Sequence, residues 1–347
     1  MPPAEEPRAE LLSRLDRELA SVLGPLVPAG ARCALLDLPT HGNVGDSAIW
    51  LGEKAYLRRI GASVVHVCDA AGYARAALRD RLGDGVVLLH GGGNLGDLWP
   101  LHQRLREQVI ADFPDHRIVQ LPQTIRFTQR SNLERAREVF DGHPRLTLLV
   151  RDRESLAAAR GEFKTPSLLC PDMAHALPAL SRPPAEQEIV WLLRDDVEAR
   201  DGGARRREVP SVDWRSEEDS WRRRLDRFLT EDWSWRAPAR WTRPLVAPLH
   251  DRVRDAVVRR RVERGCALLG RGRAVVTDRL HGHLLCLVLG IPHVLLDDGY
   301  GKLRSYHETW TRPCRLARWA RTVEEASALA ADLARGAAAP AAEAMGA

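Results

Sequence analysis

Apolar residues in this chain fall into short unbroken runs, separated by stretches in which they recur every third or fourth position. The first kind predicts strands buried on both faces and the second predicts amphipathic helices. Their alternation predicts an α/β fold of parallel sheets covered by helices. Predicted strands are Cys33–Pro39, Val64–Asp69, Val86–Gly92, Arg117–Thr124 and Leu146–Asp152. Between two of them, Leu101, Leu105 and Val109 lie one turn apart behind Pro100, a residue the first turn of a helix tolerates. The stretch LPALSRPPAEQ (Leu177–Gln187) breaks the pattern, and strands resume at Glu188–Asp196, Arg273–Asp278 and Pro292–Asp298. This places a domain boundary after residue 182, giving an N-terminal domain over 1–182, a second over 183–335 and a disordered tail over 336–347.

Residues 198–264 do not follow the alternation. They are rich in Arg and carry Trp214, Trp221, Trp233, Trp235 and Trp241. Two readings stand: a helical elaboration whose tryptophans pack on the second domain, or a basic aromatic surface that meets a glycan or a lipid-linked substrate at a membrane.

The six cysteines (Cys33, Cys68, Cys170, Cys266, Cys286 and Cys314) form no CxxC pair and sit in apolar runs, which predicts buried reduced thiols rather than metal ligands. No apolar run is long enough to span a bilayer and the start MPPAEEPRAE lacks the core of a secretory signal, so a cytoplasmic location is expected. A formal charge of +5 suits an anionic ligand, but Lys and Arg are spread widely and no nucleic-acid motif is present.

In open α/β sheets, ligands bind beyond the carboxyl ends of the strands. Four loops there carry chemistry. In THGNVGDSAIWLGE (Thr40–Glu53), Asp46 or Ser47 can cap the next helix, while Asn43, set between Gly42 and Gly45, is placed to meet a ligand. In HGGGNLGDLWP (His90–Pro100), Gly91, Gly93 and Gly96 satisfy GxGxxG. A dinucleotide site needs the third glycine inside the helix and an acid after the next strand, and neither holds. The preferred reading is a loop of Gly92, Gly93 and Asn94 lining a cleft for phosphate or substrate hydroxyls. VRDRES (Val150–Ser155) offers Arg151 and Arg153, either for a ligand or as a surface ion-pair cluster. In TDRLHGH (Thr277–His283), Arg279 can grip a carboxylate or phosphate bidentately. His281 lies two residues on, projecting to the same side of an extended segment, whereas His283 equally well begins a helix.

HGNVGDSAI, LLHGGGNLGD, QLPQTI, VRDRESL, CPDMAHAL, WLLRDD and VVTDRLHGHLLCLVLGIPHVLLDDGYGKLRSYHETW, in that order from Leu35 to Trp310, resemble the polysaccharide pyruvyl transferase family (exopolysaccharide pyruvyl transferase-like). The resemblance implies two Rossmann-like domains facing a cleft in a GT-B-like arrangement. It implies phosphoenolpyruvate as donor, a sugar with two nearby hydroxyls as acceptor, and neither a metal nor a further cofactor. The family's Arg-Leu-His element falls on Arg279, Leu280 and His281. A second donor-binding arginine is matched to Arg153, with Arg151 and Arg194 as other candidates and Lys302 added to the donor side. Asn43, Asp46, Gly92, Gly93 and Asn94 are then expected on the acceptor side. The Arg/Trp-rich segment departs from the family and leaves the acceptor open, including whether it is lipid-linked and met at the inner face of the plasma membrane.

The chemistry follows from the donor. Its carboxylate and phosphate need cationic anchors, which Arg279 and Arg153 can supply. Protonating the methylene carbon creates an oxocarbenium-like centre; one hydroxyl adds, phosphate leaves and a second hydroxyl closes the ketal. His281 is the acid/base candidate, since imidazole gives and takes protons near neutral pH. Two rival readings fit the same residues: a GT-B-type nucleotide-sugar glycosyltransferase, and a non-catalytic glycan-binding or assembly protein using the tryptophans.

Overall fold

The computed structural model describes residues 6–195, 209–215, 220–230, 243–297 and 301–338. In chain order the elements begin with α1 (Arg8–Leu23), β1 (Arg32–Leu36), α2 (Val44–Arg59), β2 (Ser63–Cys68), α3 (Arg75–Leu82), β3 (Val86–Leu89) and β4 (Gly92–Gly96). They continue with α4 (Pro100–Asp112), β5 (Ile118–Arg126), α5 (Arg130–Asp141), β6 (Leu146–Val150), α6 (Arg153–Glu162), β7 (Ser167–Leu169) and a 3-10 turn at Met173–Ala176. Then come β8 (Gln187–Leu192), β9 (Ser211–Val212), α7 (Ser220–Thr230), α8 (Arg243–Gly270), β10 (Gly272–Thr277) and α9 (Leu280–Leu289). Last are β11 (His293–Leu296), α10 (Lys302–Tyr306), β12 (Ala317–Ala320) and α11 (Val323–Ala338).

The chain forms two compact units. The N-terminal unit comprises Leu15–Pro178 with Ser220–Arg261, and the C-terminal unit Met1–Arg14, Ala179–Asp219 and Val262–Ala347. Residues 220–261, grouped by sequence with the C-terminal domain, therefore pack with the N-terminal sheet. The reason is local: Arg261 is buried and donates to the carbonyls of Pro39, Thr40 and His41, and Val258 joins the apolar layer under that sheet. The first residues go the other way, since Arg8 donates to the Leu287 carbonyl at 2.6 Å and Glu6 bridges to Cys314. Trp233, Trp235 and Trp241 lie outside the described residues.

In the N-terminal unit the strand order is β2-β1-β3-β5-β6-β7, all parallel. Alternating residues of each strand feed two apolar layers, as the two-residue period of a strand requires. Ala34, Leu36, Val87 and Leu89 pack with Leu105, Val109 and Phe140 of α4 and α5, while Cys33, Leu35 and Leu88 pack with Leu19 of α1 and Ile49, Trp50 and Tyr56 of α2. Both faces are thus covered, which is why these strands read as continuous apolar runs. Gly52 lets α2 approach the 3-10 turn, since a Cβ there would lie 1.9 Å from the Met173 carbonyl oxygen.

The glycine run after β3 differs from expectation. It is a strand, β4, that resumes pairing along β5: β3 pairs with Ile118–Gln120, and Gly92, Leu95 and Gly96 pair with Gln123, Ile125 and Arg126. Gly96, at φ 140°, packs so closely on β5 that a Cβ would sit 1.7 Å from the Arg126 carbonyl oxygen. The GxGxxG spacing therefore serves a kinked strand and not a turn into a helix.

In the C-terminal unit a second parallel sheet runs β12-β11-β10-β8-β9. Trp191, Val276, Val294, Leu296 and Ala320 pack against Ala326 and Ala330 of α11. All six cysteines are buried and unbridged.

Candidate active site

The carboxyl ends of the N-terminal strands hold a dense network of buried polar groups. Asp37, just beyond β1, is the one non-glycine residue with positive φ among the described residues, at 74°. Such a backbone is costly for an L-residue and points to a functional constraint. Both oxygens of its buried carboxylate accept from His102 Nδ1, at 2.8 and 2.9 Å. Burial opposes ionisation, but the His102 hydrogen bond and charge prevail and hold the Asp37 carboxyl below its usual range.

Where β3 breaks into β4, His90 Nδ1 lies 2.8 Å from Glu53 of α2, and the other Glu53 oxygen accepts from Gly91 N. Burial raises the Glu53 carboxyl, and Glu53 in turn raises His90 against the opposing effect of burial. His90 Nε2, Ser47 Oγ and Trp50 Nε1 are buried without a hydrogen-bond partner among the described residues, and the Trp50 and His90 rings lie 5.7 Å apart.

Asn94 is set by this network. Its Oδ1 accepts from Arg106 Nη2 at 2.9 Å and Gln123 Nε2 at 2.7 Å, and its backbone N–H donates to Gln123 Oε1. With the carbonyl end held by two donors, the amide orientation is fixed, and Nδ2 is left as a donor with no partner among the described residues. Arg106 is itself buried, also reaching Gln120 and Gln103, and burial brings its pKa down to about 10.

The other expected residues of this unit take definite places. Asn43 caps α2, accepting from Gly45 N at 3.1 Å and donating to Asp46 at 2.8 Å, so both its polar atoms are engaged. Asp46 also pairs with His41 at 3.5 Å and stands 3.5 Å from where a Gly92 Cβ would be, an ordinary contact distance. Gly93 follows on β4, partly buried. Arg151 is buried, bound to Asp172 at 2.8 Å and Thr124 at 2.9 Å, and Arg153 is exposed at the first position of α6.

In the C-terminal unit, Arg279 is the N-cap residue of α9, where β10 meets the helix. Its backbone N–H donates to Thr277 Oγ1 at 3.0 Å, and its buried guanidinium pairs with Asp213 and lies over the Trp214 ring, 5.5 Å from the centroid. Burial opposes ionisation of Asp213, but Arg279 holds its carboxyl below the usual range. Leu280 is buried and His281 partly exposed in the first turn of α9. Gly282 is required there, because a Cβ would meet Thr277 Oγ1 at 2.5 Å. Arg194, partly buried, donates its N–H to Asp278, and Lys302 opens α10, also partly buried.

His283 turns inward. Its Nδ1 lies 2.7 Å from His293 Nε2 and its Nε2 lies 2.8 Å from Thr311 Oγ1, deep in the core. It is a packing histidine. Asp213 escaped the sequence reading because it follows β9, a two-residue strand without a pattern to find, and Trp214, named there for packing or a glycan surface, was not recognised as a partner of Arg279. Asp37, Glu53, His90 and His102 escaped for a different reason: each looks like an ordinary polar residue at a helix or strand end until the fold brings the pairs together.

Among the described residues, no group of three or more His, Cys, Asp or Glu side chains is placed to hold a metal ion, and no helix is long and apolar enough to cross a membrane.

The family model described as polysaccharide pyruvyl transferase matches residues 43–300. Pyruvyl transferase 1 of Schizosaccharomyces pombe is 33% identical over 302 residues, covering 82% of this chain and 71% of that protein. EpsO of Bacillus subtilis, named as a pyruvyl transferase, is 31% identical over 298 residues, covering 85% of this chain and 90% of that protein. The crystal structure of an uncharacterized protein of Klebsiella pneumoniae shares the fold, with a TM-score of 0.61 at 16% identity, covering 89% of this chain and 99% of the other.

Proposed function

The chain belongs to the polysaccharide pyruvyl transferase family, and is a transferase; from that premise we propose that it moves the enolpyruvyl group of phosphoenolpyruvate onto two hydroxyls of one sugar. The products are a pyruvate ketal and phosphate. The observation that carries this reading is the junction of β10 and α9, where a buried arginine takes the N-cap position of a helix whose first turn carries His281, a partly exposed residue. Guanidinium charge and a helix N-terminus both favour an oxyanion such as the donor's phosphate or carboxylate.

In this reading Arg279 clamps the donor, with the Asp213 carboxylate and the Trp214 ring fixing its fork. His281 moves the proton. Two hydroxyl protons leave the acceptor; one ends on the former methylene carbon, now a methyl group, and the other on the departing phosphate, so no further reactant is needed. Leu280, Arg194 and Lys302 complete the donor side from the same unit. Asn94 Nδ2, Asp46 and the glycine strand at 92–93 take the acceptor, and His102, held by Asp37, stands beside them. Phosphoenolpyruvate is a co-substrate, with no other cofactor.

The test is incubation with phosphoenolpyruvate and free or lipid-linked oligosaccharides. The expected result is phosphate release together with a pyruvate ketal seen by mass spectrometry. Release of nucleotide from a nucleotide sugar, with no reaction of phosphoenolpyruvate, would reject the reading. Asn94→Asp separates the two substrates: it keeps an oxygen for Arg106 and Gln123 but loses the outward donor. The acceptor KM is expected to rise about tenfold, the equivalent of one lost hydrogen bond near the top of the usual net range, with the donor KM unchanged. Equal effects on both substrates would remove Asn94 from the acceptor side.

A further inference from the structure

Helix α7 has two faces with opposite chemistry. Its inner face is fixed within the N-terminal unit: Asp226 is buried and paired with both Arg260 and Arg261, and Thr230 is buried against Arg254, which donates to its carbonyl at 3.0 Å. The opposite face carries Trp221, Leu225 and Phe228 at the i, i+4, i+7 spacing of one helical stripe. All three are exposed, at 54%, 45% and 45%. Three large apolar side chains in a row, aimed away from a face held by ion pairs, are not the residue of a core.

The arginines say what the stripe meets. At 3.6 residues per turn, Arg222 and Arg224 border the stripe on its two sides, and Arg227 follows on the same side as Arg224. All three are exposed. Arg224 and Arg227 make no ion pair among the described residues, and Arg222 lies over the Trp221 ring at 5.2 Å from its centroid. A narrow apolar stripe with a Trp, flanked by exposed guanidinium groups that can reach up to headgroups, matches the interfacial region of a bilayer. A second protein would instead be expected to offer carboxylates in register with the arginines and to cover the apolar stripe with a shaped groove.

We propose that α7 is a membrane-docking helix that lies flat on an anionic lipid surface, with Trp221, Leu225 and Phe228 inserted and Arg222, Arg224 and Arg227 on the phosphates. The acyl boundary takes the apolar side chains and the anionic headgroups balance the charge. The consequence for the site is direct. Thr230 Oγ1 lies 3.5 Å from the Thr40 carbonyl, and Arg261 holds the carbonyls of Pro39, Thr40 and His41, so α7 is fastened to the loop that leads into Asn43 and Asp46. If the acceptor reading of that loop holds, docking brings it to a sugar displayed on the lipid surface.

Co-sedimentation of the full chain with vesicles tests this. The protein is expected to pellet with vesicles of phosphatidylcholine and phosphatidylglycerol in equal parts, to stay in solution with phosphatidylcholine alone, and to be released by raised salt. Leu225→Glu with Phe228→Glu, both at exposed positions, is expected to lower vesicle affinity at least tenfold without moving the thermal unfolding midpoint. Arg224→Gln with Arg227→Gln is expected to weaken it and flatten the salt dependence. Three results would overturn the proposal: no binding to anionic vesicles by the unaltered chain, equal binding by the Leu225/Phe228 variant, or a change in that variant's sedimentation from a larger to a smaller species, which would assign the stripe to a second copy of the chain. Because the readout is binding to lipid, failure here leaves the transfer reaction untouched, and failure of the transfer assay leaves the docking helix standing.

Discussion

Arg279→Lys is expected to fold normally and to lower kcat/KM for phosphoenolpyruvate by about a hundredfold to a thousandfold. The expectation rests on how the guanidinium is held. It is buried, paired on one side with Asp213 and stacked over Trp214, so its planar fork is oriented before any ligand arrives. An ammonium can satisfy Asp213 or reach an anion, but as a point charge on a flexible stem it cannot hold both in one plane. Loss of two charge-assisted hydrogen bonds at about 1.5 to 2 kcal/mol each gives that range. Lysine is the informative replacement because alanine would leave the fully buried Asp213 carboxylate without its cation, a change costing about 3 to 5 kcal/mol in stability and confusing the result. Steady-state phosphate release with an unfolding midpoint as control reads both quantities. Unchanged donor kinetics in a folded Lys variant would take Arg279 out of the donor site.

The legible part of this protein is the part governed by burial. The strands at Cys33, Val86, Leu146 and Arg273 were predictable because residues buried on both faces leave an unbroken apolar run, and Pro100 marked a helix start because only a first turn tolerates it. Gly91–Gly96 was misleading for a physical reason. Local glycine content signals close backbone approach without saying to what, and at Gly96 the neighbour is β5 and not a helix. The segment 220–261 was assigned to the wrong neighbour because chain order was the only guide, while the deciding interaction, Arg261 with three carbonyls near Thr40, spans some 220 residues. In the site, Arg279 and Asn94 could be singled out by motif, but not the partners that make them useful. Asp213, Gln123 and Arg106 act through distances that only the folded chain creates.

The C-terminal unit is expected to lose stability steeply as pH falls from about 6.5 to about 4, by an amount that approaches its whole margin. The cause is a chain of neutral histidines in its core. His293 Nδ1 donates to the Ile291 carbonyl at 2.8 Å, so its Nε2 must accept from His283 Nδ1; His283 Nε2 then accepts from Thr311, whose oxygen accepts from His307 Nδ1 at 2.9 Å. Every hydrogen bond in that chain runs one way, and each ring has one proton to give. Adding a proton at His293 Nε2 would set it against the His283 Nδ1 donor. Burial pushes both His293 and His307 down to about 4, against 6.5 in an unfolded chain. For a base with a depressed folded pKa, the unfolded state binds more protons below 6.5, so stability is full above that value and drains away until the folded pKa is reached. A fall from 6.5 to about 4 corresponds to about 3 kcal/mol for each histidine, set against a typical domain stability of roughly 5 to 15 kcal/mol. The window is separable from carboxylate effects, because Asp37 and Asp213, held low, withdraw their contribution only at more acidic pH. The Glu53–His90 pair in the other unit acts in the opposite sense, since both groups are raised and favour the protonated folded state. Near-UV circular dichroism of Trp319, which stacks on His307 at 15° and 6.2 Å, reports the C-terminal unit. His307→Gln keeps a donor for Thr311 without a titrating ring, and is expected to reduce proton uptake on unfolding at pH 5 by about one and to make the acid transition shallower. A variant with the same acid profile as the unaltered chain would mean that the histidine chain is not what the falling pH breaks.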